Sequence, residues 1–454
     1  MNHPLLDVLV REIETDISQM AEQGHDEGAL LAELAEARGG GSLDALAELQ
    51  QDLWERPSPA DFPYDEPSDW EAISDGFPDA DSHAIFAGGD ADLAEKLLAG
   101  WRGRCAGCQL GKPLEGAWPD AIEEVLAITG PWPLTDYMNP VPDDRVEALG
   151  AGCEAFKRHY RKVLTKGNFD HVAPDDDIHY AITGQLTLAR HGPNFTPTQA
   201  IETLIELTPA SSVYASGRNM FRTHFFGLPS PVTAIFGNPC RQSLGAQIRC
   251  DPFGWAAPAN PAFAASMAFR DAVGSQIRNG IYSGIFFAVL LADVLAHGDL
   301  AAAIDTAEAY VPPRSRFAEM VRFVKDACAG AKDWQAVNAA IYGKYDAAYG
   351  KPSVKAPTNH SLSNAAIVVM SLLTGGDDFG RTVGISVMAG RDTDCNGATA
   401  GSIMGCALGT AGIGARWTDP FNDTIRTHLK GMHEVRISQL AEDLFELAKG
   451  NLRR

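Results

Sequence analysis

The chain has 454 residues, with 59 Asp or Glu against 37 Lys or Arg and a formal charge of -22. That balance excludes generic binding to nucleic acid or to anionic membranes, whose electrostatic driving force would be repulsive, and leaves acidic sites that hold cations open. The length points to one large domain with an appendage, or to two or three domains. The eight cysteines are scattered, and the start, MNHPLLDVLVREIE, lacks the basic region and unbroken apolar run of a secretory signal. Free thiols and a cytoplasmic setting are the expectation.

Residues 4–55 combine helical spacing with many acids, and 56–81 (RPSPADFPYDEPSDWEAISDGFPDAD) reads as a Pro- and Asp-rich linker. Residues 1–91 are thus expected to be a small, acidic, helical N-terminal extension. The remainder, 92–454, is expected to be a compact multi-helix domain. Its helical patterns fall at 92–101, 119–128, 144–165, 177–190, 197–207, 261–274, 279–297, 300–309, 315–329, 333–341, 361–374, 378–388, 396–411 and 433–449. Alternating strand patterns are scarce and no fixed period marks a solenoid, so the fold class is all-α. Two apolar segments invite a membrane test. The stretch 281–297 reaches Asp293 after only twelve uncharged residues, and the run after Asp394 is loaded with Gly. Both read as helices buried in a core.

Several positions carry chemistry. CAGC at 105–108 has Cys-x-x-Cys spacing, but no second pair completes a zinc site. Glu115 follows a Gly-Lys-Pro turn that would present it from a rigid loop; Lys112 could pair with it at the surface. PWPLTDYMNP (131–140) reads as a loop, either packed or covering a cleft, with Asp136 and Tyr137 as candidate ligand contacts. Asp175, Asp176 and Asp177 precede an apolar helix, either as a solvated cap or as hard oxygen donors for Mg²⁺, Mn²⁺ or Ca²⁺. His179 and Tyr180 follow on that helix, packed or facing a cleft. His360 stands at a helix start, suited to local hydrogen bonding or to substrate. Gly397, Gly401, Gly405 and Gly409 recur at every fourth residue, on one helical face. Each Gly costs about 1 kcal/mol relative to Ala, so close approach of another helix is the expected reason. Asp392 and Asp394 lie just before that face, as caps or as ligands.

Three stretches combine into a resemblance. Asp392, Thr393 and Asp394 match G-G-D-T-D-T before a small-residue helix; Asp176 and Asp177 fall on the paired aspartates of T-D-D-T. Gly107, Gly111, Pro113 and Glu115 fall on G-D-A-L-G-x-P-x-E. In this order and spacing, residues 99–415 resemble the ADP-ribosylglycohydrolase family. The resemblance implies an all-α domain in which the two Asp clusters meet around two Mg²⁺ or Mn²⁺ ions. The implied ligands are Asp175, Asp176, Asp177, Asp392, Asp394 and Cys395, and the implied catalytic residues are Glu115 and Asp177. Candidate substrate contacts are Gly111, Asp136, Tyr137, Tyr180, His360, Arg391 and Asn396. The chain departs from the family pattern at Asp175, in place of a hydroxyl residue, at Cys395, a soft thiol in place of the last Thr, and at Arg391, which sets a cation beside the site. The implied activity is hydrolysis at the anomeric carbon of ADP-ribose attached to a protein side chain or small acceptor. A hydrolase of small ribosyl or furanosyl compounds and a non-catalytic ADP-ribose-binding protein are the alternatives.

Overall fold

The computed structural model describes residues 4–40, 42–78, 86–129, 132–348 and 359–452. They form an all-α fold whose strands are the short antiparallel pair Thr424–Arg426 and Glu434–Arg436. At its centre the Asn279–His297 helix is buried at every position from Asn279 to Leu295. Its run of Ile, Phe, Val, Leu and Ala leaves no polar face to turn outward, so it is enclosed on all sides. Gly298, at φ 69°, ends it in the left-handed conformation that Gly adopts without strain. By length and composition this helix could cross a membrane. Here it packs against the helices Asp251–Trp255, Pro261–Ala272 and Leu300–Glu308.

Two helices distant in sequence, Asp90–Gly111 and Thr393–Ile413, lie with their backbones in contact. A Cβ at Gly103 would land on the Gly401 carbonyl, one at Gly107 on Gly397, and one at Gly111 on Thr393. The reverse holds for Gly401 on Gly103 and Gly405 on Ala99. Close approach is therefore what Gly397, Gly401 and Gly405 serve. Gly409 differs from the expectation: at φ 69° it kinks the helix. The same packing explains why the 92–101 pattern continues to Gly111, since burial against a second backbone outweighs the weak helix propensity of Gly103 and Gly107.

Other elements depart from the sequence pattern. The expected 144–165 helix is broken into Asp143–Ala148 and Glu154–His159, with single turns at Ala151–Cys153 and Lys162–Leu164. Leu149 turns extended and Gly150 and Gly152 follow, which uncouples the two pieces. The 433–449 pattern begins as the strand Glu434–Arg436 before the helix Ile437–Leu452. The helix Ala215–Phe225 was not legible in its polar sequence.

The N-terminal helices Pro4–Glu22, Glu27–Gly39 and Leu43–Glu55 share a small core of Val10, Ile13, Ile17, Met20, Leu30, Leu34, Leu46 and Leu53. Asp26 and Ser42 cap the second and third helices. Buried Asp16 meets Arg241 at 2.5 Å, and Glu22 meets His360 at 3.1 Å, joining this unit to the body. The Pro-rich stretch that follows lies on the body: buried Glu66 pairs with Arg316 at 2.7 Å and accepts from Asn279 Nδ2 at 3.0 Å.

Candidate active site

The helix Asp176–His191 starts at Asp175, whose Oδ1 accepts from the Asp177 N–H at 2.9 Å. Capping and exposure to a cavity are therefore compatible here. The helix Thr393–Ile413 starts at Asp392, whose side chain makes no capping bond. Gly390 and Arg391, at φ 85° and 67°, form the turn before it. Backbone hydrogen bonds clip this turn to the Glu115 turn, from Arg391 N to Ala117 O at 3.0 Å and from Gly116 N to Arg391 O at 2.8 Å. Thr393 Oγ1 adds a bond to Gly111 O at 2.8 Å. The glycine contact thus brings the start of one helix to the end of the other, and Glu115 with it.

Both acidic starts face one cavity of about 330 Å³, lined among the described residues by Asp175, Asp176, Asp392, Asp394, Glu115 and Cys395, with Lys112 among them. Tyr180, His179, His159, Tyr214, Arg249 and His428 also contribute to its walls. Oxygens of Glu115, Asp392 and Asp394 come within 4.8 Å of one another, as do donor atoms of Asp177, Asp394 and Cys395 and of Cys108, Asp175 and Asp177. Asp394 Oδ1 is buried without a hydrogen-bond partner among the described residues. Such groups can hold a metal ion.

The electrostatics follow from burial. Burial pushes Asp394 well above the usual carboxylate range, and Glu115, Asp175 and Asp392 push it further. Asp176 is raised in the same way by burial, Asp175 and Asp392, and Asp392 is pushed up to about 6 by burial and Glu115. Asp177 is raised by burial and Asp175, against the pull of Arg104. Asp175 moves the other way: burial opposes its charge, but the Lys112 ammonium paired with it outweighs that and holds it below its usual value. Burial lowers His179 to about 4, which keeps its ring neutral; its Nε2 accepts from His428 N at 3.1 Å.

The remaining expected residues are placed differently from one another. Tyr180 lines the cavity, with the Arg249 guanidinium 5.9 Å from its ring centroid. Asp177 is buried behind the lining: its Oδ1 is 3.3 Å from Arg104 Nη2, and its Oδ2 accepts from Cys395 Sγ at 3.0 Å. Asp136 and Tyr137 do not line the cavity, in keeping with the packed-loop alternative. Asp136 pairs with Lys166 at 2.5 Å, and Tyr137 is core, its hydroxyl donating to Trp417 O at 2.7 Å. Gly111, His360, Arg391 and Asn396 do not line the cavity either. Gly111 packs on Thr393, and His360 caps the Ser361–Gly375 helix. Arg391 lies over the Tyr342 ring, 4.9 Å from its centroid, and Asn396 donates to Asn364 Oδ1 at 2.9 Å. That Asn364 oxygen also accepts from Asp392 N at 3.3 Å, so Asn396 acts on the site through its neighbours. Cys105 and Cys108 are free, buried thiols.

Sequence reasoning gave Lys112 the wrong partner and missed Arg104. Lys112 pairs with Asp175, whereas Glu115 takes His159 Nδ1 at 2.9 Å. Arg104, fully buried, donates to Asp177 O at 2.7 Å, Ile248 O at 2.6 Å and Asp251 Oδ2 at 2.7 Å, tying three segments together beneath the cavity. Arg104 opens the mostly small and apolar run RCAGCQLG, and that was the available signal, because a charge packed into such a run needs a buried partner.

Fold and site together define an all-α protein with a buried carboxylate centre between two helix starts. A family model described as ADP-ribosylglycohydrolase matches residues 89–453, and the chain belongs to that family of glycohydrolases. A solved structure described as an ADP-ribosylglycohydrolase-related protein complex aligns with 79% of this chain and 99% of its own at 17% identity and a TM-score of 0.48. No curated protein sequence matches the chain.

Proposed function

We propose that the chain is a Mg²⁺- or Mn²⁺-dependent hydrolase that cleaves the bond between the anomeric carbon of ADP-ribose and a protein side chain or small acceptor. The supporting observation is the meeting of Asp175, Asp176, Asp392, Asp394 and Glu115, from three separate segments, around one cavity. The donor set fits a hard cation: clustered carboxylate oxygens, one of them buried and unpartnered at Asp394. Asp392 and Asp394 would hold it. When bound, divalent ions supply a Lewis acid that grips ribose hydroxyls and offsets charge at the reacting centre.

The chain's own residues supply the rest. Glu115 stands on a turn fixed by Pro113 and by the Gly116–Arg391 bond, with His159 holding one of its oxygens. In this mechanism it takes a proton from water as the water oxygen bonds to the anomeric carbon. The C–N or C–O bond to the acceptor breaks, through an oxocarbenium-like state, with its electron pair staying on the acceptor, which then takes the proton held by Glu115 and so restores the carboxylate. Asp177, held by Arg104 and Cys395, positions the cluster rather than meeting substrate. Tyr180 and the half-exposed Tyr214 offer ring faces to the substrate.

One observation favours a smaller substrate. A cavity of about 330 Å³ stands near the low end of the roughly 300–1,000 Å³ typical of ligand sites, which suits a ribosyl compound without the second nucleotide half. A panel of ADP-ribosyl-arginine, ADP-ribosyl-serine, O-acetyl-ADP-ribose and simple nucleosides, each with Mg²⁺ or Mn²⁺, separates the two. Turnover of the ADP-ribosyl compounds supports the first reading, turnover of nucleosides alone the second, and no turnover of any of them overturns both.

A further inference from the structure

The carboxylates around the cavity are not equally open to an ion. Asp175 has both oxygens engaged: Oδ1 caps the Asp177 N–H at 2.9 Å, and Oδ2 meets the Lys112 ammonium. Asp177 is engaged at both oxygens as well, by Arg104 at 3.3 Å and by the Cys395 thiol at 3.0 Å. Lys112 is positioned to stay there. It leaves the Asp90–Gly111 helix at the single turn Lys112–Leu114, Pro113 stiffens that turn, and its side chain is only 22% exposed against 2% for Asp175. Asp176 lines the cavity too, and the charges that act on it are those of Asp175, Asp392, Lys112 and Glu115, so it stands between the Lys112 ammonium and the Asp392 side. On that other side no described Lys or Arg pairs with the carboxylates. Glu115, Asp392 and Asp394 bring oxygens within 4.8 Å of one another, and Asp394 Oδ1, on a residue 3% exposed, has no partner. A divalent ion on Asp175 would stand against a fixed positive charge, whereas one at Asp394 would find an unpaired oxygen.

We propose that this chain binds a single divalent ion, at Asp392 and Asp394 beside Glu115, and that the Lys112 ammonium takes the place of a second ion against Asp175. The inference rests on the metal-dependent reading above and concerns how many ions that site holds. It gives the Asp175 departure a physical reason: a hydroxyl could not balance a lysine, whereas a carboxylate does. It also gives Cys395 a role as donor to Asp177 that needs no metal.

The test counts ions on the full chain with Mn²⁺ alone, by equilibrium dialysis and elemental analysis, with the electron paramagnetic resonance spectrum distinguishing an isolated ion from an exchange-coupled pair. The expected result is one isolated Mn²⁺ per wild-type chain and two coupled ions in Lys112→Met, a doubling, with Lys112→Arg staying at one. Asp175→Asn provides a second line that does not depend on Lys112→Met folding: it should keep the single ion, and its loss would overturn the assignment. Two ions in the wild type would overturn the inference while leaving the metal-dependent reading intact. A wild-type chain that binds none would overturn both. One ion in a folded Lys112→Met would remove Lys112 as the reason for the count.

Discussion

Gly401→Ala tests whether the contact between the helices Asp90–Gly111 and Thr393–Ile413 builds the site. The added Cβ would land on the Gly103 carbonyl oxygen, a backbone atom of a rigid helix that no rotamer change can move aside. Overpacking of this kind costs about 1–3 kcal/mol, and the upper end applies because the obstacle is main chain. Ala regains about 1 kcal/mol of helix propensity, so a net loss near 2 kcal/mol is expected. Gly343→Ala is the matched control. It lies inside the helix Trp334–Ala348 and a Cβ there meets nothing within 4 Å, so only the gain of up to about 1 kcal/mol remains. The two variants should differ by about 3 kcal/mol in chemical denaturation. Because Thr393 and Gly111 are bonded at the same crossing, Gly401→Ala should also weaken Mn²⁺ binding, measured by calorimetric titration, while Gly343→Ala does not. Equal stability of the two variants would refute the close-contact explanation.

Glu66→Gln should cost about 3–5 kcal/mol, since it leaves the Arg316 charge buried after removing its carboxylate partner. Burial opposes the Glu66 charge but Arg316 outweighs it and holds the carboxyl below its ordinary 4.5. Its contribution is therefore full above that value and is lost as the pH falls through the lower folded value; wild type and Glu66→Gln should converge in acid denaturation, and a constant gap down to full protonation would count against the pair. Chelation should lower the melting temperature of the full chain, and Mn²⁺ at a hundredfold excess over its dissociation constant should restore about 2.7 kcal/mol; identical melting curves would remove the cation. Glu115→Gln should lower turnover by about 10²–10⁴-fold with the Mn²⁺ count unchanged, and joint loss of turnover and ion would make Glu115 a ligand.

The fold was legible where a pattern has one physical solution. The apolar helix Asn279–His297, broken by Asp293, reads as interior, and three of the four glycines spaced at every fourth residue do meet another backbone. What they meet was not legible, because Gly103, Gly107 and Gly111 read locally as poor helix formers, and only burial makes them helical. The 144–165 stretch failed for the opposite reason. Its composition is helical on average, but the extended Leu149 between two short helices is a local event that an average hides. Ala215–Phe225 is helical through tertiary contacts, with Asn219 bonded to Phe236 O at 2.9 Å, and those are invisible in its own residues.

At the site, residue types were more legible than roles. The acids at 175–177 and 392–394 stand out because adjacent carboxylates repel, and the structure brings them to one cavity from positions more than 200 residues apart. Spacing could not say which of them would be open. That depends on partners arriving from elsewhere: Arg104 and Cys395 close off Asp177, Lys112 closes off Asp175, and among the described residues no group pairs with Asp394 Oδ1. The lining of the cavity was the least legible. Tyr137 is spent in the core against Trp417, His360 on capping the Ser361–Gly375 helix, Arg391 on the turn before Asp392 and Asn396 on Asn364. The division has a common cause. A centre made of repelling carboxylates has to be assembled by forces other than their own attraction, and Arg391 and Asn396 are spent on bracing the Asp392 start. The rest of the cavity wall then comes from residues such as Tyr214, Arg249 and His428.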